Sequence, residues 1–541
     1  MYGNVKTAEL VSLRIDGTEI SVPSNTSVIE AAEAVGVLVP RYCYHPGIPS
    51  RPAQCRVCLV EIEGQPKLQP SCNISVQEGM VVHTASEEAR SARRSVIELL
   101  LVNHPLDCPI CDAAGQCMLQ DYAFETRQLA SRLNEEKLVM GRDRIAEDIL
   151  YFADRCILCT RCVRFMREVA EDDALIVAQR GYRAYIDTFP GAVLDNPFRG
   201  NIVDVCPVGA LVHEDFLFKA RFWDLDQTAS VCPSCSTGCN VTIDTVENQI
   251  VRLKPRHNSE VNSYWMCDHG RKHLIMSNRG LRPEAPLLRR DGKLVPTGWG
   301  EALTWVAERL LEVSRGMAIV SPHAANESLF YFRTLLDRIG IAGGTFRVEQ
   351  GEEAILPGFP KLQLRADRAP NASGAELHGF ERFDGGAHSD PGGDAVAVLE
   401  DPLGELPDEW GREASFFLYV GNRLSPAARN AHAILPVTTF AEMEGTFTNF
   451  EGRVQRFHQA LQPAGLARPA WLVLARLVSL LEDGGDGGVA APTLASEAFQ
   501  VMVRATPAMA DLEWASVGLK GARLGSTEAA VPHAQAPAEG A

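Results

Sequence analysis

The sequence predicts a multidomain protein that combines α+β and α/β domains. The chain has 541 residues, more than a single hydrophobic core usually holds. All fifteen cysteines lie between Cys43 and Cys267, in closely spaced runs. From Leu303 onward there is no cysteine, and helical patterns alternate with strand patterns, as in an α/β domain. We therefore expect several small domains that contain the cysteine runs, followed by one larger α/β domain without cysteine.

Composition and charge exclude several classes of protein. The formal net charge of −17 argues against binding of nucleic acid, which needs clustered Lys and Arg, and against direct attraction to an anionic membrane surface. No stretch reaches the ~20 apolar residues of a membrane helix, and Arg476 interrupts one of the best candidates, Trp471–Leu481. Met1–Lys6 do not show a basic segment followed by an apolar stretch, so no secretory signal is expected. We expect a cytosolic protein without membrane insertion, in which grouped cysteines indicate metal ligands rather than disulfides.

Fifteen thiols and one imidazole divide into four sets of four, each with the spacing of a metal site. In chain order, the first set is Cys43, Cys55, Cys58 and Cys72, the second is His104, Cys108, Cys111 and Cys117, the third is Cys156, Cys159, Cys162 and Cys206, and the fourth is Cys232, Cys235, Cys239 and Cys267. Because no cysteine is left over, the count predicts four iron–sulfur clusters and hence a protein that conducts electrons. A zinc-bearing scaffold is the alternative.

The first set follows a β-rich segment. Alternating apolar residues flank Asp16-Gly17, a hairpin signal, and Ser24–Val35 has the apolar spacing of a short helix. The spacing C-x11-C-x2-C-x13-C resembles 2Fe–2S ferredoxins of the β-grasp fold, in the longer-spaced variant found in respiratory complex I and some hydrogenases. The resemblance implies one 2Fe–2S cluster here.

The second set follows a predicted helix that Ser86 caps and that ends before Pro105. Its run, H-x3-C-x2-C-x5-C, resembles the His-Cys-Cys-Cys 4Fe–4S motif of the same families. A neutral imidazole in place of a thiolate removes one negative charge, so the potential of the cluster should rise. The alternative is that His104 lies near the cysteines without binding metal.

The third set joins a C-x2-C-x2-C run to the distant Cys206 in the segment CPVGA, and this resembles a 4Fe–4S ferredoxin motif. A two-cluster ferredoxin carries two complete C-x2-C-x2-C-x3-C-P runs, whereas this chain has only half of each, so one 4Fe–4S cluster is expected. Three arginines beside these ligands, Arg155, Arg161 and Arg164, either offset the charge of the cluster or form a solvated basic face.

The fourth set, C-x2-C-x3-C-x27-C, resembles the 4Fe–4S module of molybdopterin oxidoreductases, with a zinc ribbon as the alternative. After it, Arg282–Trp299 resembles the entry to the molybdopterin-oxidoreductase fold. A helix over Gly300–Leu311 and strands at Met317–Val320 and Phe416–Val420 are predicted. Since no cysteine remains to bind molybdenum, no molybdenum cofactor is expected, and the motifs within Ile434–Gln455 are attributed to turns and packing. Residues Gly343–Arg412 have a loop-like composition, which suggests lost fold elements, and Gln535–Ala541 has that of a disordered tail.

As an ordered series, these motifs resemble the family of the large iron–sulfur subunit, or G subunit, of NADH-quinone oxidoreductase (respiratory complex I). The implied domains are a 2Fe–2S domain at 8–85, a His-Cys-Cys-Cys module at 86–128, a 4Fe–4S ferredoxin-like domain at 140–228, a second 4Fe–4S module at 229–285, a shortened, degenerate molybdopterin-oxidoreductase-like domain at 286–485, and a C-terminal extension at 486–541. The implied cofactors are one 2Fe–2S cluster and three 4Fe–4S clusters.

The resemblance implies an electron-transfer role within a proton-translocating complex. Electrons would come from the flavin of an NADH-binding partner subunit and leave towards quinone, and no residue of this chain would act as a catalytic group. The other partners would be further peripheral-arm subunits, and the complex would hold the chain on the cytoplasmic side of the inner membrane. The alternative is a subunit of an NAD-linked formate dehydrogenase or a hydrogenase, although all fifteen cysteines are already assigned.

Overall fold

The computed structural model describes residues 9–127, 130–132, 134–277, 282–383, 388–400, 406–482 and 491–525. These residues divide into two compact units. Unit 1 contains the described residues up to Asp224 and also Leu356–Gly358, and unit 2 contains the rest. The boundary after Asp224 lies close to the predicted start of the fourth-set module at residue 229. The finer division into six domains stays a prediction.

Unit 1 is built from small sheets and short helices that carry the first three sets. Its elements are β1 (Leu10–Ile15), β2 (Thr18–Pro23), α1 (Val28–Ala34), β3 (Leu59–Ile62), β4 (Gln69–Pro70), β5 (Val81–His83), α2 (Glu87–Leu101), α3 (Met118–Glu125), β6 (Arg142–Ala146), β7 (Ile149–Phe152), α4 (Arg161–Glu168), β8 (Leu175–Ala178), β9 (Tyr185–Thr188), α5 (Asn201–Asp204) and β10 (Leu211–His213).

The first domain of unit 1 has the predicted β-grasp arrangement. Its sheet has the order β2-β1-β5-β3-β4, in which β1 and β5 are parallel and the other pairs are antiparallel. Asp16 and Gly17 form the β1–β2 turn with positive φ, as the hairpin signal predicts. Helix α1 is shorter than the predicted Ser24–Val35, because Ser27 and Glu30 close a capping box that fixes its start.

Helix α2 leads to the second set. Ser86 caps it as predicted, by accepting a hydrogen bond from the backbone N–H of Ala89. Its C-terminal carbonyls, those of Leu101 and Val102, accept hydrogen bonds from Lys137 Nζ. The apolar side of α2 is not wholly buried, since Leu99 is 71% exposed.

Unit 2 carries the fourth set and the large α/β domain. Its elements are β11 (Asp226–Val231), β12 (Asn240–Val246), β13 (Gln249–Pro255), α6 (Asp268–Ser277), β14 (Leu287–Arg290), β15 (Lys293–Pro296), α7 (Trp299–Leu311), β16 (Gly316–Val320), α8 (Asn326–Arg338), β17 (Thr345–Phe346), β18 (Ala354–Ile355), β19 (Gln363–Leu364), α9 (Ala372–Leu377), β20 (Glu381–Arg382), β21 (Ala395–Leu399), β22 (Phe417–Gly421), β23 (Ala433–Pro436), β24 (Gly445–Thr448), β25 (Arg453–Phe457), α10 (Ala470–Glu482), α11 (Ala495–Ala505), α12 (Trp514–Val517) and β26 (Ala522–Arg523).

An eight-stranded mixed sheet forms the centre of unit 2, in the order β15-β14-β23-β22-β21-β16-β17-β20. Six strands, from β23 to β20, run parallel, and their side chains alternate between two apolar layers. In β22, Leu418 and Val420 join the layer that contains α7, α8 and α10, whereas Phe417 and Tyr419 join the opposite layer. This is the α/β architecture that the apolar pattern predicts.

Two segments of unit 2 differ from the prediction. The composition of residues 343–412 predicts loops, yet they contain β21, a central strand whose five residues are all buried. Residues 491–525 fall in the predicted extension, yet β26 pairs with β25 and α11 packs on α8. Apolar residues of α11, such as Phe499 and Met502, supply the core that binds this segment to unit 2. The predicted disordered tail lies outside the described residues.

A buried ion pair joins two distant segments of unit 2, and its loss should be costly. Arg282 donates two hydrogen bonds of 2.6 Å to the carboxylate of Glu442, which is 4% exposed. We expect Arg282→Met to lower the free energy of unfolding by about 3–5 kcal/mol, because it leaves a buried carboxylate without its cationic partner, although the backbone N–H of Thr439 still donates to it. Urea denaturation followed by tryptophan fluorescence measures this effect, since six of the seven tryptophans lie in unit 2. The control Arg290→Met removes an exposed pair with Glu301, which water and salt screen, and it should change the free energy of unfolding much less. An equal loss of unfolding free energy in both variants would show that the Arg282–Glu442 pair contributes no more than an exposed ion pair.

Candidate metal centres

All fifteen cysteines lie in the described residues, and each is a free thiol. Each predicted set brings its cysteine side chains into mutual interaction, although its members are up to 50 residues apart. Among the described residues, no three Cys, His, Asp or Glu side chains are compact enough to hold a single metal ion. The assignment of metal centres therefore rests on the grouping of the side chains and on their surroundings, and not on a closed coordination shell.

The first set lies in the loops that follow α1, precede β3 and follow β4. The thiol of Cys43 is hydrogen-bonded to those of Cys55 and Cys72, and Cys58 is hydrogen-bonded to Cys72. The neighbouring thiols lower the pKa of Cys43 by hydrogen bonding to its sulfur. Arg56, within the C-x2-C pair, has a left-handed backbone (φ +59°), which makes the tight turn that groups the two thiols.

The cysteines of the second set lie between α2 and the start of α3. Cys108 is exposed, whereas Cys111 and Cys117 are buried. Burial raises the pKa of Cys117 to about 11 and also raises that of Cys111. A cavity of about 590 Å³ is lined by Cys108, Cys117 and His104, so the structure provides space beside these three side chains.

The imidazole of His104 is suited to bind metal. Burial and the nearby cations Lys137 and Arg155 lower its pKa to about 4, so the ring is neutral at physiological pH, as a metal ligand must be. Its Nδ1 atom is buried and has no hydrogen-bond partner among the described residues. A buried nitrogen without a partner is costly unless something binds it. The surroundings of His104 therefore fit a ligand better than an incidental loop residue.

The third set surrounds the N-terminus of α4. Leu158 and Thr160, which separate its first three cysteines, have left-handed backbones (φ +50° and +59°) and fold the run into a tight loop. Burial raises the pKa of Cys156 to about 11, and that of Cys162 well above its usual range. All four cysteines of the set line one small cavity of about 20 Å³. Cys206, predicted from its CP dipeptide, is thus brought to the other three.

The segment CPVGA also reaches the second set. The backbone N–H of Met118, next to Cys117, donates a 3.2 Å hydrogen bond to the carbonyl of Pro207. A Cβ on Gly209 would lie 2.3 Å from Cys111 Sγ, a distance that no real contact allows. Glycine is therefore required where the loop of the third set passes the thiol of the second.

The fourth set lies in unit 2, between β11 and β12 and at the start of α6. The loop is closed by the N–H of Cys232, which donates a 2.8 Å hydrogen bond to the carbonyl of Cys239. All four thiols are buried, and burial raises the pKa of Cys232 to about 11 and raises that of Cys267. Gly270 passes close to the set, since a Cβ there would lie 2.9 Å from Cys232 Sγ.

The chemistry of these sets favours a bound cationic group. Burial makes a thiol difficult to ionise, and it raises the pKa of most cysteines in the second, third and fourth sets. In the first set, hydrogen bonds from neighbouring thiols instead lower the pKa of Cys43 and Cys58. Metal binding reverses the cost of burial, because it replaces the protons with positive charge. The set composition, mostly sulfur with one imidazole, suits iron–sulfur clusters or zinc and not calcium or magnesium.

The three arginines of the third set do not form a solvated basic face, which is one of the two interpretations that the sequence allows. Arg155, Arg161 and Arg164 are 4%, 5% and 7% exposed. Arg155 forms a 2.9 Å ion pair with Asp107, which precedes Cys108 of the second set. Sequence spacing does not predict the contacts of these arginines. It also does not predict that Gly209 and Gly270 pass close to cysteine sulfur atoms, although Gly209 lies within the CPVGA motif.

Family models match five successive parts of the chain. They are described as a 2Fe–2S iron–sulfur cluster binding domain (residues 8–87), an NADH-ubiquinone oxidoreductase-G iron–sulfur binding region (93–132), a ferredoxin-like domain of NADH-quinone oxidoreductase subunit 3 (147–212), a molybdopterin oxidoreductase Fe4S4 domain (225–278) and molybdopterin oxidoreductase (282–382 and 404–480). The models thus support 2Fe–2S and 4Fe–4S binding regions and the fold class predicted from the sequence.

Curated relatives carry a consistent name. The NADH-quinone oxidoreductase G subunit of Rickettsia conorii is 38% identical over 61% of this chain and 49% of its own length, and that of Streptomyces coelicolor is 42% identical over 58% and 37%. The mitochondrial NADH-ubiquinone oxidoreductase 78 kDa subunit of Candida albicans is 37% identical over 64% and 48%. The chain therefore spans about half the length of these relatives or less.

A solved structure of an NAD⁺-reducing [NiFe]-hydrogenase in its H₂-reduced state is 30% identical and covers 39% of this chain and 90% of its own, but its TM-score is only 0.36. The similarity rests instead on the named relatives and on the order of the cluster-binding models, which agree with each other. Over 58–64% of its length the chain is similar to G-type subunits of NADH-quinone and NADH-ubiquinone oxidoreductases, and a molybdopterin oxidoreductase model matches its C-terminal part.

Proposed function

We propose that this chain is an electron-transfer subunit of NADH:quinone oxidoreductase. In this proposal it carries electrons from the flavin of an NADH-binding partner subunit towards quinone, within a proton-translocating complex on the cytoplasmic side of the membrane. Among the described helices, none has both the length and the apolar composition needed to cross a bilayer. The single observation that supports the proposal most is the convergence of the first, second and third sets within one compact unit.

We propose that the first set holds a 2Fe–2S cluster and that the other three sets hold 4Fe–4S clusters. When bound, these groups accept and release single electrons. The chain's own residues determine where and how readily this occurs. They supply sixteen ligands, bury most of the sulfur atoms away from water, and place a neutral imidazole in the second set. No side chain of this chain needs to act as an acid, base or nucleophile.

The C-terminal α/β domain is proposed to act without a molybdenum cofactor. No cysteine follows Cys267 in the sequence. The glycines within Ile434–Gln455 have structural roles. Gly445 lies in β24 against Phe457, where a Cβ would come within 2.8 Å of the ring, and Gly452 makes the β24–β25 turn with φ +73°. Molybdenum in the purified protein would favour a formate dehydrogenase subunit instead.

The ligand role of His104 can be tested by supplying a thiolate in its place. We expect His104→Cys to retain a centre at the second set but to lower its reduction potential, because one negative charge is added. Redox titration monitored by electron paramagnetic resonance measures that potential. The control His83→Cys changes a half-exposed histidine outside the four sets and should leave every potential unchanged. If the redox titrations of His104→Cys and of the unsubstituted protein are identical, His104 is not a ligand of the second centre.

A further inference from the structure

Two buried arginines of α4 connect the loop of the first set to that of the third. Arg161 Nη2 donates a 2.6 Å hydrogen bond to the carbonyl of Tyr44, the residue after Cys43. Its Nη1 donates a 3.2 Å hydrogen bond to the carbonyl of Val205, the residue before Cys206. One guanidinium therefore holds a ligand segment of each set, and the two segments are more than 150 residues apart in the chain.

Arg164, one turn further along α4, strengthens the same junction. Its Nη2 donates a hydrogen bond to the carbonyl of Cys43, and its Nη1 donates a 2.9 Å hydrogen bond to Ser50 Oγ. The backbone N–H of Ser50 in turn donates a 3.0 Å hydrogen bond to Glu168 at the end of α4. The loop of the first set is thus fastened to the helix that begins beside Cys162.

The positive charges of these two arginines are not neutralised locally. Within the part of the chain that the structure describes, neither Arg161 nor Arg164 forms an ion pair with a carboxylate, and their hydrogen bonds go to carbonyl and hydroxyl oxygens. Arg161 Nε is buried and has no hydrogen-bond partner there. Arg161 also interacts electrostatically with Cys43 of the first set and with Cys159 and Cys206 of the third. A buried unpaired cation is costly, and negative groups at both sets would offset that cost.

We propose that Arg161 is a positioning residue shared by the first and third sets, where its buried guanidinium joins the two loops and favours the reduced state of both centres. The inference rests on the proposed function, because it requires clusters at these sets. Reduction adds one negative charge, and a fixed positive charge in a poorly screened environment stabilises that charge. Arg164 contributes to the same field from the side of Cys43.

The test compares three variants of the full-length chain, reconstituted with iron and sulfide without oxygen. Arg161→Gln removes the charge, Arg161→Lys keeps it but loses the fork of donors, and Arg167→Gln removes an exposed charge from the same helix. Redox titration monitored by paramagnetic resonance gives the potential of each centre. For a charge about 10 Å away at an effective dielectric constant of about 20, reduction should become about 16-fold less favourable in Arg161→Gln, which is about 70 mV.

We expect Arg161→Gln to lower the potentials of the first and third centres and to leave the second and fourth unchanged, while Arg161→Lys and Arg167→Gln change none. Unchanged potentials in Arg161→Gln, or an equal shift in Arg161→Lys, would overturn the proposal. If Arg161→Gln loses its clusters, Arg164→Gln provides the same measurement, and unchanged potentials there would overturn it. Absence of cluster signals in the unsubstituted protein would instead refute the proposed function.

Discussion

Replacing Cys206 with Ser should remove the centre at the third set and leave those at the other three. Cys206 lies 44 residues beyond Cys162 in the chain, yet it lines the same small cavity as the other cysteines of its set. Every other cysteine of the chain is already assigned to a set, so none is left to replace it. The expected loss is about four of about fourteen iron atoms per chain, with the paramagnetic signal of one 4Fe–4S centre.

The matched control is Cys267→Ser, because Cys267 is likewise the distant member of its set. It should remove the fourth centre alone. Loss of the fourth centre in Cys206→Ser, or of the third in Cys267→Ser, would contradict the division into sets. If a variant loses all centres, its far-ultraviolet circular dichroism will show whether the chain is still folded.

Replacing Gly209 with Ala should damage the second set, although Gly209 belongs to the loop of the third. The added Cβ would lie 2.3 Å from Cys111 Sγ and 3.1 Å from Ala113 Cβ, so the thiol must move away from its site. We expect loss of the second centre in most molecules, measured by iron content and by its paramagnetic signal. The control Gly300→Ala places a Cβ where nothing lies within 4 Å, and it should keep all centres. Full occupancy of the second centre in Gly209→Ala would show that the segment CPVGA does not constrain it.

Much of this architecture could be predicted from the sequence, because local signals determine it. The Asp16-Gly17 turn, the Ser86 cap and the alternating strands of the α/β domain all follow from short-range chemistry. Spacing, together with the CP dipeptide at Cys206, predicts the four sets, and the structure groups their cysteine side chains accordingly. The features that spacing does not predict depend on long-range packing. The buried arginines have the same local composition as an exposed basic face, and only tertiary contacts distinguish the two.

The C-terminal part shows the same limit. A composition rich in Ala, Gly and Pro suggests loops at 343–412 and an extension after residue 485. The strand β21 and the segment at 491–525 are nevertheless ordered parts of unit 2, because neighbouring strands and helices supply the partners that composition alone cannot indicate.

The central claim is that four iron–sulfur clusters occupy these sets, and one measurement tests it most directly. Iron and acid-labile sulfide should be quantified on the full-length chain prepared without oxygen, together with paramagnetic resonance after reduction. We predict about fourteen iron atoms per chain, a similar amount of sulfide, and signals from one 2Fe–2S and three 4Fe–4S centres. Stoichiometric zinc with little iron or sulfide would contradict the claim.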